Sequence, residues 1–89
     1  MFNIALLGAG RIGQVHAANI ASHSATTLWS VVDPNQEFAT RLATQYQARL
    51  QSLDEAMTDP NVHAVLIASA TDTHADLIGM AARHGKAIF

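Results

Sequence analysis

Eighty-nine residues, 49% of them hydrophobic and only 13% charged, suit one small packed domain or part of a larger one and exclude a disordered chain. The net charge is −2 and the five Lys and Arg are scattered, which leaves no basic patch for a nucleic acid. With no cysteine, disulfides and thiolate chemistry are excluded, and no apolar run is long enough to span a bilayer.

Residues 2–7 read as a strand that is apolar throughout, as expected where both faces are covered. A helix is predicted over 11–22, with Ile12, Val15 and Ile20 on one side and Ala17, Ala18 and Ala21 allowing close packing. Residues 27–33 form a second strand. The helix predicted over 35–46 carries a Phe38, Leu42, Tyr46 stripe flanked by Ala39 and Ala43, which reads as core. Arg49-Leu50-Gln51 is a short third strand, and Ser52-Leu53-Asp54-Glu55 is a capping box opening a helix that ends before Pro60. Ala64–Ala68 is a fourth apolar strand. A helix over 73–84 follows, with Gly85 as its stop. Gly79 inside it costs up to about 1 kcal/mol relative to alanine. Residues 86–89 read as the start of a fifth strand, so the chain is expected to be the front portion of a longer protein. Alternating strands and helices with right-handed crossovers predict a Rossmann-type α/β fold, a doubly wound parallel sheet in the order 3-2-1-4-5. The ligand crevice then lies where the order reverses, at the carboxyl ends of strands one and four.

Gly8-Ala9-Gly10-Arg11-Ile12-Gly13 follows the first strand directly, and Asp33 stands twenty residues past the last of these glycines. This is the dinucleotide-binding fingerprint in its strand–turn–helix setting. Gly8 permits the sharp turn, Gly10 leaves room for a pyrophosphate, and Gly13 lets the helix lie close to the strand. The first amides of the helix have no intrahelical partners and face the phosphates with partial positive charge. The Arg11 side chain either joins the phosphates or stays in solvent. Asp33 accepts hydrogen bonds from adenosine ribose hydroxyls and repels a 2′-phosphate, so the cofactor is NAD rather than NADP. It also suits a turn before Pro34. Arg41 lies too far along the next helix to hold that phosphate.

The loop after the fourth strand, Ser69-Ala70-Thr71-Asp72-Thr73-His74, falls across the crevice from the glycine turn. Its hydroxyls suit ribose or phosphate, and equally suit helix capping. His74 is read as a cofactor contact or a loop anchor. The other histidines supply no third ligand for a metal, so none is expected. His63 and His84 read as solvated, Trp29 as packing, and Asp54, Glu55 and Asp59 as part of a solvated helix.

Together, the glycine turn ending in Arg11-Ile12-Gly13-Gln14-Val15-His16, the second loop and Gly85-Lys86 resemble the glucose–fructose oxidoreductase and inositol dehydrogenase family, in particular its bacterial inositol 2-dehydrogenase branch. Ser69, Thr71 and His74 match that family's second-loop pattern, with Ala70 in place of the usual proline. The resemblance implies an NAD-dependent oxidoreductase acting on the CH–OH group of a cyclic polyol or sugar. Cofactor contacts fall on Gly8, Gly10, Arg11, Ile12, Gly13, Asp33, Ser69, Thr71 and His74. No catalytic residue is expected in this chain, because the family's Glu-Lys-Pro lysine and its later Asp and His fall beyond Phe89. Lys86 is not that lysine. The chain alone is expected to be inactive, and the full-length protein to be a cytoplasmic homo-oligomer without membrane or nucleic-acid partners. The alternatives are a non-catalytic NAD-binding module and an NADP-dependent oxidoreductase of the same family.

Overall fold

The computed structural model describes residues 1–69 and 74–89. Its elements alternate without exception: β1 (Phe2–Leu7), α1 (Arg11–Ser22), β2 (Thr26–Val32), α2 (Gln36–Tyr46), β3 (Arg49–Leu50), α3 (Leu53–Thr58), β4 (Ala64–Ile67), α4 (His74–Arg83) and β5 (Ala87–Ile88). All strand pairs are parallel, in the order β3-β2-β1-β4-β5, so the predicted topology holds. Parallel neighbours need a crossover, and each crossover here contains a helix.

The sheet separates two apolar layers. Ile4 and Leu6 of β1 pack with Ala17 and Ile20 of α1 and with Ala39 and Leu42 of α2. Ala5 and Leu7 point the other way, onto Ala56 and Met57 of α3 and Ala81 of α4. This is the period-two alternation of a strand covered on both faces. Its central residues are almost wholly out of water, with Ala5 and Leu6 at 0% exposure.

The face of α1 differs from the sequence expectation. Ile12 and Val15 are 61% and 57% exposed, while Gly13, Ala17 and Ile20 face the sheet. The reason is proximity. A Cβ at Gly13 would overlap the Gly8 carbonyl oxygen, so only the smallest residue fits between helix and turn. The large side chains are displaced to the flanks. Phe38 also departs from the core stripe and is 42% exposed, leaving Ala39, Leu42 and Ala43 as the buried face of α2.

Helix ends follow their residues. Ser52 Oγ accepts from the Glu55 amide (3.1 Å) and Glu55 Oε1 accepts from the Ser52 amide (2.7 Å), the expected capping box. Gly85, at φ +71°, closes α4, with the Gly85 amide on Ala82 O and the Lys86 amide on Ala81 O. The same closure at α2 uses Gln47 at φ +56°, with the Ala48 amide donating to Ala43 O at 2.8 Å.

β2 contains a bulge. Ile4 pairs with Leu28 and Ala5 with Ser30, so Trp29 is an extra residue. Leu28 and Val31, three apart, therefore share one layer, and Trp29 turns to the other. There its Nε1 donates to Asp59 Oδ2 at 2.9 Å.

Candidate functional site

The carboxyl ends of β1, β2 and β4 enclose an open cleft of about 740 Å³. Gly8, Gly10, Asp33 and Ser69 all line it, so residues from three separate strand ends meet as the sequence predicted.

The glycine turn is built by close backbone packing. Gly8 adopts φ +118°, and a Cβ there would lie 2.8 Å from the carbonyl carbon of Ala68. Its amide donates to Val32 O, and the Ala68 amide donates to Leu7 O, both at 2.8 Å. The turn is thereby tied to β2 on one side and β4 on the other. Gly10 is the N-cap of α1 and has no side chain with which to cap it. The first intrahelical bond there is the Gln14 amide to Gly10 O, 2.9 Å. The Arg11, Ile12 and Gly13 amides precede it at the positive end of the helix dipole. A Cβ on Gly10 would meet no atom within 4 Å. The space at the mouth of α1 is open, the fit a diphosphate requires. The Arg11 and Ile12 side chains are both exposed beside it.

Asp33 terminates β2 half-buried. Its Oδ2 accepts from the Ala9 amide at 2.7 Å, and its Oδ1 accepts from the Asn35 amide at 2.7 Å. One carboxylate thus joins the glycine turn to the start of α2. Each oxygen retains a further lone pair for a ligand hydroxyl. Asn35 Oδ1 in turn caps α2 by accepting from the Phe38 amide at 3.1 Å. Arg41, the nearest cation to Asp33 in sequence, is paired with Glu37 at 2.9 Å on the exposed face of α2. No arginine is therefore set beside Asp33 among the cleft residues. An acid without a basic partner suits a free ribose hydroxyl and not a 2′-phosphate.

Across the cleft, the His74 Nε2 donates to Ser69 O at 2.8 Å. Thr71 lies outside the described residues. Among the described residues no group of three or more His, Cys, Asp or Glu is gathered as a metal site. None of the described helices is long and apolar enough to cross a membrane.

Sequence reasoning missed part of the lining. Phe38, Gln51, Leu53 and Leu77 join Leu7 and Val32 along the cleft. Phe38, Gln51 and Leu53 follow the β2 and β3 ends, to one side of the β1/β4 switch point on which the sequence reading centred the crevice. Gln51 is held by Asp59, whose Oδ2 accepts from Gln51 Nε2 at 2.9 Å as well as from Trp29. Asp59 is therefore not a solvated helix acid. The Asn61 amide on its Oδ1 (2.9 Å), then Trp29 and Gln51, hold its carboxyl below the usual value, against the opposing effect of burial. Nor is Trp29 simple packing: Arg49 lies 3.5 Å over its ring as well. His63 also has partners, accepting from the Asn3 amide (2.9 Å) and stacking on Phe2. Lys86 Nζ donates to the carbonyls of Asp59 and Val62 at 2.6 and 2.7 Å.

Residues 2–89 match the model of the oxidoreductase family with an NAD-binding Rossmann fold, GFO_IDH_MocA. Inositol 2-dehydrogenase of Rhizobium meliloti is 43% identical over 84 residues, 94% of this chain and 26% of that protein. The scyllo-inositol 2-dehydrogenase (NAD(+)) of Bacillus subtilis is 40% identical over 88 residues, 96% of this chain and 26% of that protein. A solved myo-inositol dehydrogenase of Corynebacterium glutamicum superposes with a TM-score of 0.92 at 42% identity, covering 99% of this chain and 27% of the other. The chain spans about a quarter of the length of these relatives. Fold, fingerprint and relatives agree, and the chain belongs to the oxidoreductase family with an NAD-binding Rossmann fold, that of the glucose–fructose oxidoreductases and inositol dehydrogenases.

Proposed function

We propose that this chain is the cofactor-binding part of an NAD-dependent dehydrogenase that oxidises a CH–OH group of a cyclic polyol or sugar, with an inositol as the first candidate. The observation that carries the reading is the meeting of Asp33 with the open mouth of α1 in one cleft. In this assignment the amides of Arg11, Ile12 and Gly13 hold the diphosphate over Gly8 and Gly10. Asp33 takes the adenosine ribose, and the apolar wall beyond it takes the base. Ser69 and His74 lie on the opposite side, and Thr71, outside the described residues, is assigned as a contact with them. Bound there, NAD supplies the hydride acceptor, while the protein binds and orients it.

The inositol dehydrogenases among the relatives support the substrate class. Since those relatives are about four times longer, we assign residues 1–89 to the cofactor domain and the catalytic and substrate-binding groups to another part of the protein. The same reading makes the full-length protein a cytoplasmic homo-oligomer that binds neither membrane nor nucleic acid.

Titration of the full-length protein with NAD and NADP, followed by assay on myo- and scyllo-inositol, tests it. Tighter binding of NADP would overturn the role of Asp33. NAD binding without oxidation of any cyclic polyol or sugar would favour a non-catalytic module.

A further inference from the structure

We propose that His74 is a positioning residue that acts through Ser69, fixing the side of the cleft that faces the nicotinamide-bearing half of the cofactor. The inference rests on the proposed seat of NAD and concerns how that seat is built. A backbone carbonyl only accepts, so the 2.8 Å contact between His74 Nε2 and Ser69 O requires the proton on Nε2. That nitrogen is thereby committed to the fold and is not free to act as a base. The bond ties the tip of β4 to the first residue of α4.

The same backbone is held from its other side. The Ala68 amide donates to Leu7 O at 2.8 Å, and Gly8 packs so closely that a Cβ would sit 2.8 Å from both Ala68 C and Ser69 N. Ser69 thus stands between an imidazole and the glycine turn. A displaced Ser69 carbonyl moves the wall of the cleft on the β4 side, while the Gly8 turn keeps its own bonds to Val32 O and, through Leu7 O, to the Ala68 amide. The strand order β2-β1-β4 sets Asp33 and Ser69 on opposite sides of the turn. With the adenosine ribose at Asp33 and the diphosphate at α1, the rest of the dinucleotide extends toward Ser69. Loss of the His74 bond therefore acts on that half.

The test is calorimetric titration of the full-length protein with NAD and with ADP, which lacks the nicotinamide riboside. His74→Phe keeps a ring and removes the donor, and His74→Gln restores an N–H donor on a flexible chain. His74→Phe is expected to weaken NAD about tenfold, the size of one net hydrogen bond. ADP affinity should stay within about twofold of wild type, and His74→Gln should recover most of the NAD affinity. If the Phe variant does not fold, His74→Asn, too short to reach Ser69 O, carries the same expectation. Equal weakening of NAD and ADP, unchanged NAD affinity, or no recovery in His74→Gln overturns the positioning role. A wild-type protein that binds neither nucleotide overturns the cofactor reading itself.

Discussion

Asp33 is where stability and cofactor choice are joined, and Asp33→Ala separates them. In the free protein the carboxylate accepts two backbone amides, those of Ala9 and Asn35, each at 2.7 Å. The consequences of removing it differ at the two ends. Ala9 is 1% exposed, so its amide has no water to replace the lost acceptor. A buried donor left unsatisfied costs about 1–3 kcal/mol. Asn35 is exposed and its amide finds solvent, so its loss adds little. The unfolding free energy of Asp33→Ala should therefore fall by about 1–3 kcal/mol, read from urea midpoints at constant slope. Asp33→Asn retains one acceptor oxygen and should stay within about 1 kcal/mol of wild type.

Binding adds a second readout. The variant Asp33→Ala no longer repels a 2′-phosphate, but its glycine turn has also lost its anchor. NAD affinity should drop at least tenfold or so, about 1.4 kcal/mol, and NADP should rise only to the same weak level. Unchanged stability in Asp33→Ala would refute the anchoring role. An Asp33→Ala protein that binds NADP as tightly as wild type binds NAD would show that the acid only repels.

Gly10→Val projects into open space, so the fold should persist while NAD affinity falls more than about tenfold; wild-type affinity in a folded Gly10→Val protein would remove the diphosphate from that position. Gly13→Ala puts a methyl into the Gly8 carbonyl and should lower stability by about 1–3 kcal/mol, checked by denaturant unfolding. Gln47→Gly relieves a left-handed residue at the end of α2 and should raise the melting temperature, with a gain of up to about 1 kcal/mol. The Asp59 carboxyl is held below its usual value in the fold, so its contribution is present above the unfolded-state pKa and is lost as pH falls through the lowered folded one. Asp59→Asn should be less stable than wild type at neutral pH, and the two should converge in acid below about pH 4. Parallel stability–pH curves would contradict this.

What the sequence made legible depended on residues that act locally or at fixed spacing. The glycine turn, the acid at the end of β2, the Ser52 capping box and the Gly85 stop each state their conformation in a few adjacent letters. Alternation of apolar strands with periodic helices then determined the sheet order, because parallel crossovers leave few alternatives. The rest depended on contacts between distant segments. Asp59 draws together Trp29, thirty residues away, and Gln51 just past β3, and no spacing rule links them. The bulge at Trp29 shifts the strand's alternation by one, so the face of each β2 residue could not be read by parity. Gln47 takes a conformation that residue type alone would assign to glycine.

The faces of α1 show why hydrophobicity misleads beside this kind of site. A helix that must deliver its amino end to a ligand lies close against the strand that precedes it. Its inner face is then chosen for smallness, hence Gly13 and Ala17, and its larger residues Ile12 and Val15 turn outward. The exposure of Ile12 beside the cleft follows from the same approach of backbone to backbone that creates the α1 mouth. The misread helix face and the correctly read glycine turn therefore have one cause.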